Sequence, residues 1–251
     1  MIGPIVSESI ERLEVGVDLL TRQLKRPLFI ADDRPRFRFV SRTSQVVQIL
    51  KAVRVVSGFH AYVSLATAGF VQEAFVVLRS VYECLEDIEF LDEAHTSGNP
   101  TAGQKQLVET FFAEGDHTVD DFLAGRATPR PRTTRREKRA AVTRLLGGFS
   151  NPERVRRILE AIANGLDGYV HAAYPHIMEM YGGTPPEERF HMRGMSVRER
   201  TDLAVRYLAL LVHQALNNIA KLLIDTGNLD DANKLLDLRR RLEVSAEYKS
   251  T

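Results

Sequence analysis

A chain of 251 residues, 44% hydrophobic and 27% charged, has the composition of a folded globular protein and not of a disordered or low-complexity one. A formal net charge of +1 excludes a global attraction to nucleic acid or to an acidic membrane surface. The single cysteine, Cys84, excludes an intramolecular disulfide and a cysteine-based zinc site, and a reducing cytoplasm is the expected location.

Polar–apolar alternation is scarce and apolar residues recur at the helical period along the chain, so the expected class is all-α, a single helical bundle of about eight helices. One domain, residues 1–251, is expected, with a core at about 40–225 and with an N-terminal helix (5–26) and a C-terminal helix (228–245) packed on it. The N-terminus, MIGPIVSESIERLEVG, lacks the basic start and apolar run of a secretory signal. The first helix is expected from about Ser7, capped by Ser7 or Ser9, to Lys25 ahead of Pro27. Residues 26–40 form a connector punctuated by Pro27 and Pro35. Helices over about 41–67 and 70–94 follow, separated at Gly69 and closed by HTSGNP.

A further amphipathic helix is expected at 102–124, then a basic connector, GRATPRPRTTRREKR (125–139), entering a short helix that ends at Leu146. Ser150 or Asn151 caps the next helix, with Pro152 in its first turn. Residues 182–194 are a loop, Ser196 caps a long helix to about Asp225, and residues 228–244 form the last helix. Residues 55–71 and 205–224 are apolar enough to need a membrane test. The first is short and carries glycines, serines and a histidine, and the second contains Arg206, His213 and Lys221, so neither is expected to span a bilayer.

Charge is laid out in blocks. Residues 83–121 hold eleven acidic side chains against Lys105, and residues 122–157 hold eleven basic ones against Glu137 and Glu153. Three readings follow: the blocks pair with each other in the fold, or Arg126, Arg130, Arg132, Arg135, Arg136, Lys138 and Arg139 meet the phosphates of RNA, DNA or a nucleotide with salt-sensitive affinity, or they meet protein partners. No phosphate loop, dinucleotide fingerprint, HExxH, GxSxG or zinc spacing occurs, so no cofactor and no metal are expected.

Three constellations could carry chemistry. In DGYVHAAYPHIMEMYGG (167–183), His171 and His176 would sit about 140° apart on an unbroken helix. Pro175 biases Tyr174 away from the α region, so the helix is expected to stop or kink there and could turn Tyr169, His171 and His176 toward one cleft. Alternatively each hydrogen-bonds locally at a helix junction.

In LRSVYECLEDIEFL (78–91), Arg79, Glu83 and Glu86 lie opposite an apolar stripe. On an open surface Arg79 and Glu83 make an ordinary i, i+4 ion pair, whereas under another helix they become a buried fork able to position a ligand.

On RTDLAVRYLALLVHQALNN, Asp202, Arg206, His213 and Asn217 fall within about 60° of one another. They form either a polar packing stripe or a site.

Two resemblances attach to these residues. LATAGFVQEAFVVLRSVYECLEDIEFL, followed by LDGYVHAAYPH, resembles a family of bacterial all-helical proteins of unknown function with an L-[LV]-R-x-x-x-E helix and a later (small)-x-x-V-H segment. The resemblance covers about residues 40–225 and implies that Arg79, Glu83 and His171 converge, with Gly168 replacing the more usual small hydroxyl residue. Arg206 and His213 are similar to the R-x4–6-H motif of HEPN domains (higher eukaryotes and prokaryotes nucleotide-binding), helical bundles that often dimerise and include metal-independent RNases. That likeness implies a phosphate-stabilising Arg206 and a catalytic His213.

The leading expectation is a bundle that binds a small ligand or nucleotide around Arg79, Glu83, Tyr169, His171 and His176, with His171 also a candidate base. The alternatives are an RNase using Arg206 and His213, and a non-catalytic homo-oligomer such as a homodimer.

Overall fold

The structure, a computed structural model, describes residues 3–31, 36–113, 124, 133–134, 136–138, 140–141, 152–182, 184, 186–192 and 201–245. Through them run helices α1 (Pro4–Gln23), α2 (Ser44–Thr67), α3 (Val71–Ser97), α4 (Ala102–Ala113), α5 (Pro152–Val170), α6 (Tyr174–Met178), α7 (Thr201–Asp225) and α8 (Leu229–Val244). Two antiparallel strand pairs accompany them, β1 (Leu28–Ile30) with β2 (Arg36–Arg38) and β3 (Tyr181–Gly182) with β4 (Arg189–Phe190). The protein is an all-α bundle.

α1 starts three residues earlier than Ser7, because Pro4 occupies its first turn, where proline's fixed φ favours a helix and its missing N–H costs nothing. Neither Ser7 nor Ser9 caps it. Ser9 is wholly buried inside the helix. The stripe Val6, Ile10, Leu13, Val17 and Leu20 turns inward against α2, α7 and α8. α2 begins at Ser44 and not Ser41, since Thr43 is the residue whose hydroxyl accepts from the Val46 N–H, at 3.4 Å. The caps expected at Ser150 and Ser196, and the short helix to Leu146, lie outside the described residues apart from helical turns at 136–138 and 140–141.

One apolar cluster joins α1, α2, α3, α5, α7 and α8. α2 and residues 206–225 of α7 each reach a mean hydropathy of 1.2 over a length that could cross a membrane, and 56% and 61% of those windows are buried within the bundle. Their apolar faces meet other helices, as in core helices of folded domains. α3 is covered almost all round: besides Leu78, Val81, Leu85 and Ile88 it buries Arg79, Glu86 and Asp87. That helix organises the polar chemistry.

Within the connector at 26–40, β1 and β2 pair antiparallel. Leu28 pairs with Arg38, Phe29 with Phe37 and Ile30 with Arg36, and the Phe29 and Phe37 rings lie 5.2 Å apart. The second pair sets Tyr181 against Phe190.

α5 ends at Val170, ahead of the break expected at Tyr174. The Ala173 N–H donates to Gly168 O at 2.9 Å and the Ala172 N–H to Tyr169 O at 3.3 Å, a Schellman closure in which Ala172 takes the left-handed position, φ 48°. At the end of α2 the same two bonds, Phe70 to Leu65 and Gly69 to Ala66, place a glycine there, φ 88°.

Candidate functional site

Where α3 crosses α5, Arg79 is 3% exposed. Its Nε donates to Asp167 Oδ1 at 2.6 Å, and its Nη2 lies 2.9 Å from Glu83 Oε1 in an ion pair not aligned as a hydrogen bond. The guanidinium also lies over the Tyr82 ring, 5.6 Å from the centroid. Arg79 is therefore covered, while Glu83, 52% exposed, reaches it from the solvent edge, so one end of the i, i+4 pair is buried and the other faces water. Asp167 is the partner that sequence reasoning did not assign to it. A signal existed: a buried arginine needs a carboxylate from the covering helix, and Asp167 lies one turn ahead of His171.

The structure brings Arg79, Glu83 and Asp167 together. His171 sits just past the end of α5 with an exposed side chain. His176 turns inward instead, its imidazole edge-on to Tyr169 with centroids 4.1 Å apart. Tyr169 stacks on Phe75 at 4.4 Å, and Phe75 meets Tyr207 and Tyr62 edge-on at 5.7 and 6.4 Å. Gly168 makes room for the histidine, since a Cβ there would lie 2.3 Å from His176 Cε1. The Tyr62 hydroxyl is buried without a hydrogen-bond partner, and burial pushes its pKa up.

The acidic face of α3 meets cations from two directions. Asp87 takes Lys51 at 3.0 Å and also pairs with Lys138 of the basic connector. Thr133 donates to Gly103 O at 3.1 Å and Ala141 is wholly buried, so that end of the connector docks on the bundle. Arg136 is exposed, while Arg130, Arg132, Arg135 and Arg139 lie outside the described residues. Farther along α3, Glu89 Oε1 accepts from Gln214 at 2.8 Å and from Asn218 at 3.2 Å. Its Oε2 is shut from solvent without a hydrogen-bond partner, and burial, helped by the neighbouring Glu86, raises its pKa to about 7.

On α7, His213 Nε2 lies 2.7 Å from Glu243 Oε1 of α8, and Arg239 joins the cluster at 3.3 Å from Glu243 Oε1 and 2.6 Å from Asn217 Oδ1. Burial lowers the His213 pKa more than Glu243 raises it. Arg206 lies half-buried two helical turns earlier, about 10 Å along the axis.

A depression lies elsewhere on the bundle. A cleft of about 340 Å³ opens between the start of α2, the end of α3 and α4. Leu91, Ala94 and Val108 give it an apolar floor, and Arg42, Ser44, His95, Lys105 and Glu109 stand at its rim. Local sequence builds it. Gly98, in the left-handed region, stops α3, and Thr101 and Gln104 form a reciprocal capping box: the Thr101 N–H donates to Gln104 Oε1 at 2.7 Å and the Gln104 N–H to Thr101 Oγ1 at 3.3 Å. Gln104 Nε2 then donates to Phe90 O at 2.7 Å and Glu93 Oε2 at 2.6 Å, latching α4 onto α3. The T-x-x-Q spacing was a readable signal for the latch. Nothing in the local pattern announced the cleft.

Among the described residues no three His, Cys, Asp or Glu side chains gather in a metal-holding group. Cys84 is buried and its thiol pKa is raised by that burial, which disfavours a thiolate nucleophile. Comparison with protein-family models, with curated proteins and with solved structures gives no match to this chain.

Proposed function

We propose that this bundle is a small-ligand binding module and that its ligand occupies the cleft between α2, α3 and α4. The supporting observation is the cleft itself: 340 Å³ with an apolar floor and a charged rim, at the small end of the range of about 300–1,000 Å³ typical of ligand pockets. The Arg79 fork has a different role in this reading. With its guanidinium 3% exposed and held by Asp167 and Glu83, it anchors α5 to α3.

The test is a thermal-shift screen of small organic acids, amides, alcohols and amines against wild type and Ala94→Trp, whose indole would fill the cleft floor. Compounds that raise the melting temperature of wild type and not of the folded variant support the reading. Equal shifts in both proteins, or none in either, refute it.

A second reading has its own support. In the RNase reading, the hydrogen bond at Nε2 orients a neutral His213, leaving Nδ1 as a base toward a ribose 2′-hydroxyl, with Arg206 against the phosphate. Cleavage of a single-stranded RNA by wild type but not by His213→Ala, in the presence of a metal chelator, supports it. An uncleaved RNA at micromolar protein and low salt removes it.

A further inference from the structure

The cleft has a polarity that narrows its ligand, and the inference rests on the binding reading given above. Its buried wall is apolar apart from Gln104, whose amide is taken up by Thr101, Phe90 and Glu93: Leu91 is 1% exposed and Ala94 8%. All of its charged side chains stand at the exposed rim, and they are unequal in sign. Arg42 and Lys105 are basic, His95 is a third basic side chain, and Glu109 is the one carboxylate. Such an excess stands out here, because Lys105 is the only Lys or Arg between residues 83 and 121. Among the described residues neither Arg42, His95 nor Lys105 enters an ion pair within the fold, so their charge is available to a ligand.

The start of α2 adds to this. Ser44 lines the cleft in the first turn, where amide groups have no intrahelical acceptor and the helix dipole favours negative charge. Thr43 Oγ1 and Thr43 O take the Val46 and Val47 amides, at 3.4 and 3.2 Å. The amides of Ser44 and Gln45 come earlier in that turn, and Arg42 lines the same cleft as Ser44.

We propose that the cleft binds an amphipathic anion: a short aliphatic or aromatic body against Leu91, Ala94 and Val108, and a carboxylate or phosphate head held at the rim by Arg42, Lys105 and the first turn of α2. The geometry requires both halves. A fully polar anion would leave the apolar floor facing water, and a neutral apolar body would gain nothing from the rim cations.

Calorimetric titration with octanoate, octyl phosphate, 1-octanol and octylammonium, all below their aggregation concentrations, separates the terms. The expected result is that one or both anions bind about tenfold more tightly than octanol, and octylammonium more weakly still. Arg42→Gln/Lys105→Gln is expected to remove the preference for anions while leaving octanol affinity unchanged, and Ala94→Trp to abolish binding of all four. The two anions tell a carboxylate head from a phosphate. Equal binding of octanol and the anions, or tighter binding of octylammonium, with Ala94→Trp still blocking, would overturn the proposal and leave the cleft reading standing. No binding of any of the four to wild type would overturn both.

Discussion

Arg79 and Asp167 are 88 positions apart in sequence and 2.6 Å apart in space, Nε to Oδ1, and this bond ties α5 to α3 beside their apolar contact. A guanidinium can serve Asp167 and Glu83 at once from one plane; an ammonium cannot. Arg79→Lys is expected to destabilise the fold by about 2–3 kcal/mol, since a buried charge loses one of its partners. Asp167→Asn keeps an acceptor for Nε and should cost less, about 1 kcal/mol. Urea unfolding of the two variants checks the order, and a larger loss for Asp167→Asn would contradict it.

Glu89 gives the stability a specific pH dependence. Its pKa is raised by burial from 4.5 to about 7, so the folded state prefers the protonated carboxyl. The contribution is complete below pH 4.5, declines as pH rises toward 7, and is absent above. At about 1.4 kcal/mol per unit the whole effect is about 3 kcal/mol. Glu89→Gln keeps the acceptor for Gln214 and Asn218 and removes the charge. It is expected to unfold at a higher temperature than wild type at pH 8, with the gap closing at pH 4. A constant gap across that range would refute the assignment.

The contact of His176 with Gly168 is predicted to couple the two positions. Gly168→Ala forces the imidazole off Tyr169 and should cost about 1–3 kcal/mol, despite alanine's better helix propensity. In a His176→Ala background the same change should be neutral or stabilising. Chemical denaturation of the four proteins of this double-mutant cycle reads the coupling, and additivity within about 0.3–0.5 kcal/mol would exclude it.

Ala172 occupies a left-handed position that a glycine fills at the end of α2. Ala172→Gly is expected to stabilise the protein by up to about 1 kcal/mol, because the backbone strain at a residue with a Cβ is relieved. An unchanged or lower urea midpoint would show that the turn does not strain this residue.

How much of this was legible in the sequence differs from element to element. The helical period of apolar residues sufficed for the class and for most helix positions, because burial of an amphipathic face dominates helix stability in a folded chain. A start of α1 at Ser7 falls three residues late, because Pro4 rather than a serine cap opens the helix, and the β1–β2 pairing lies in a stretch read as a connector although RFRFV alternates. For Arg79 the spacing to Glu83 was visible, while the choice between surface pair and buried fork depended on which helix covers α3. That is a long-range fact with no local signal. The cleft was illegible for the same reason. Its lining comes from α2, α3, α4 and the residues just before α2 and α4; the T-x-x-Q spacing announces the Thr101–Gln104 latch but not which faces stay apart.

The most direct test of the central claim, that the bundle binds a small ligand between α2, α3 and α4, is a titration with octanoate followed by methyl NMR on Leu- and Val-labelled protein. Shifts concentrated at Leu91 and Val108, with Leu13 and Leu85 in the main core unmoved, are the predicted result, and Gln104→Ala, which loosens α4, should weaken them. Octanoate that leaves Leu91 and Val108 unshifted, or that shifts the main-core methyls equally, would contradict the account.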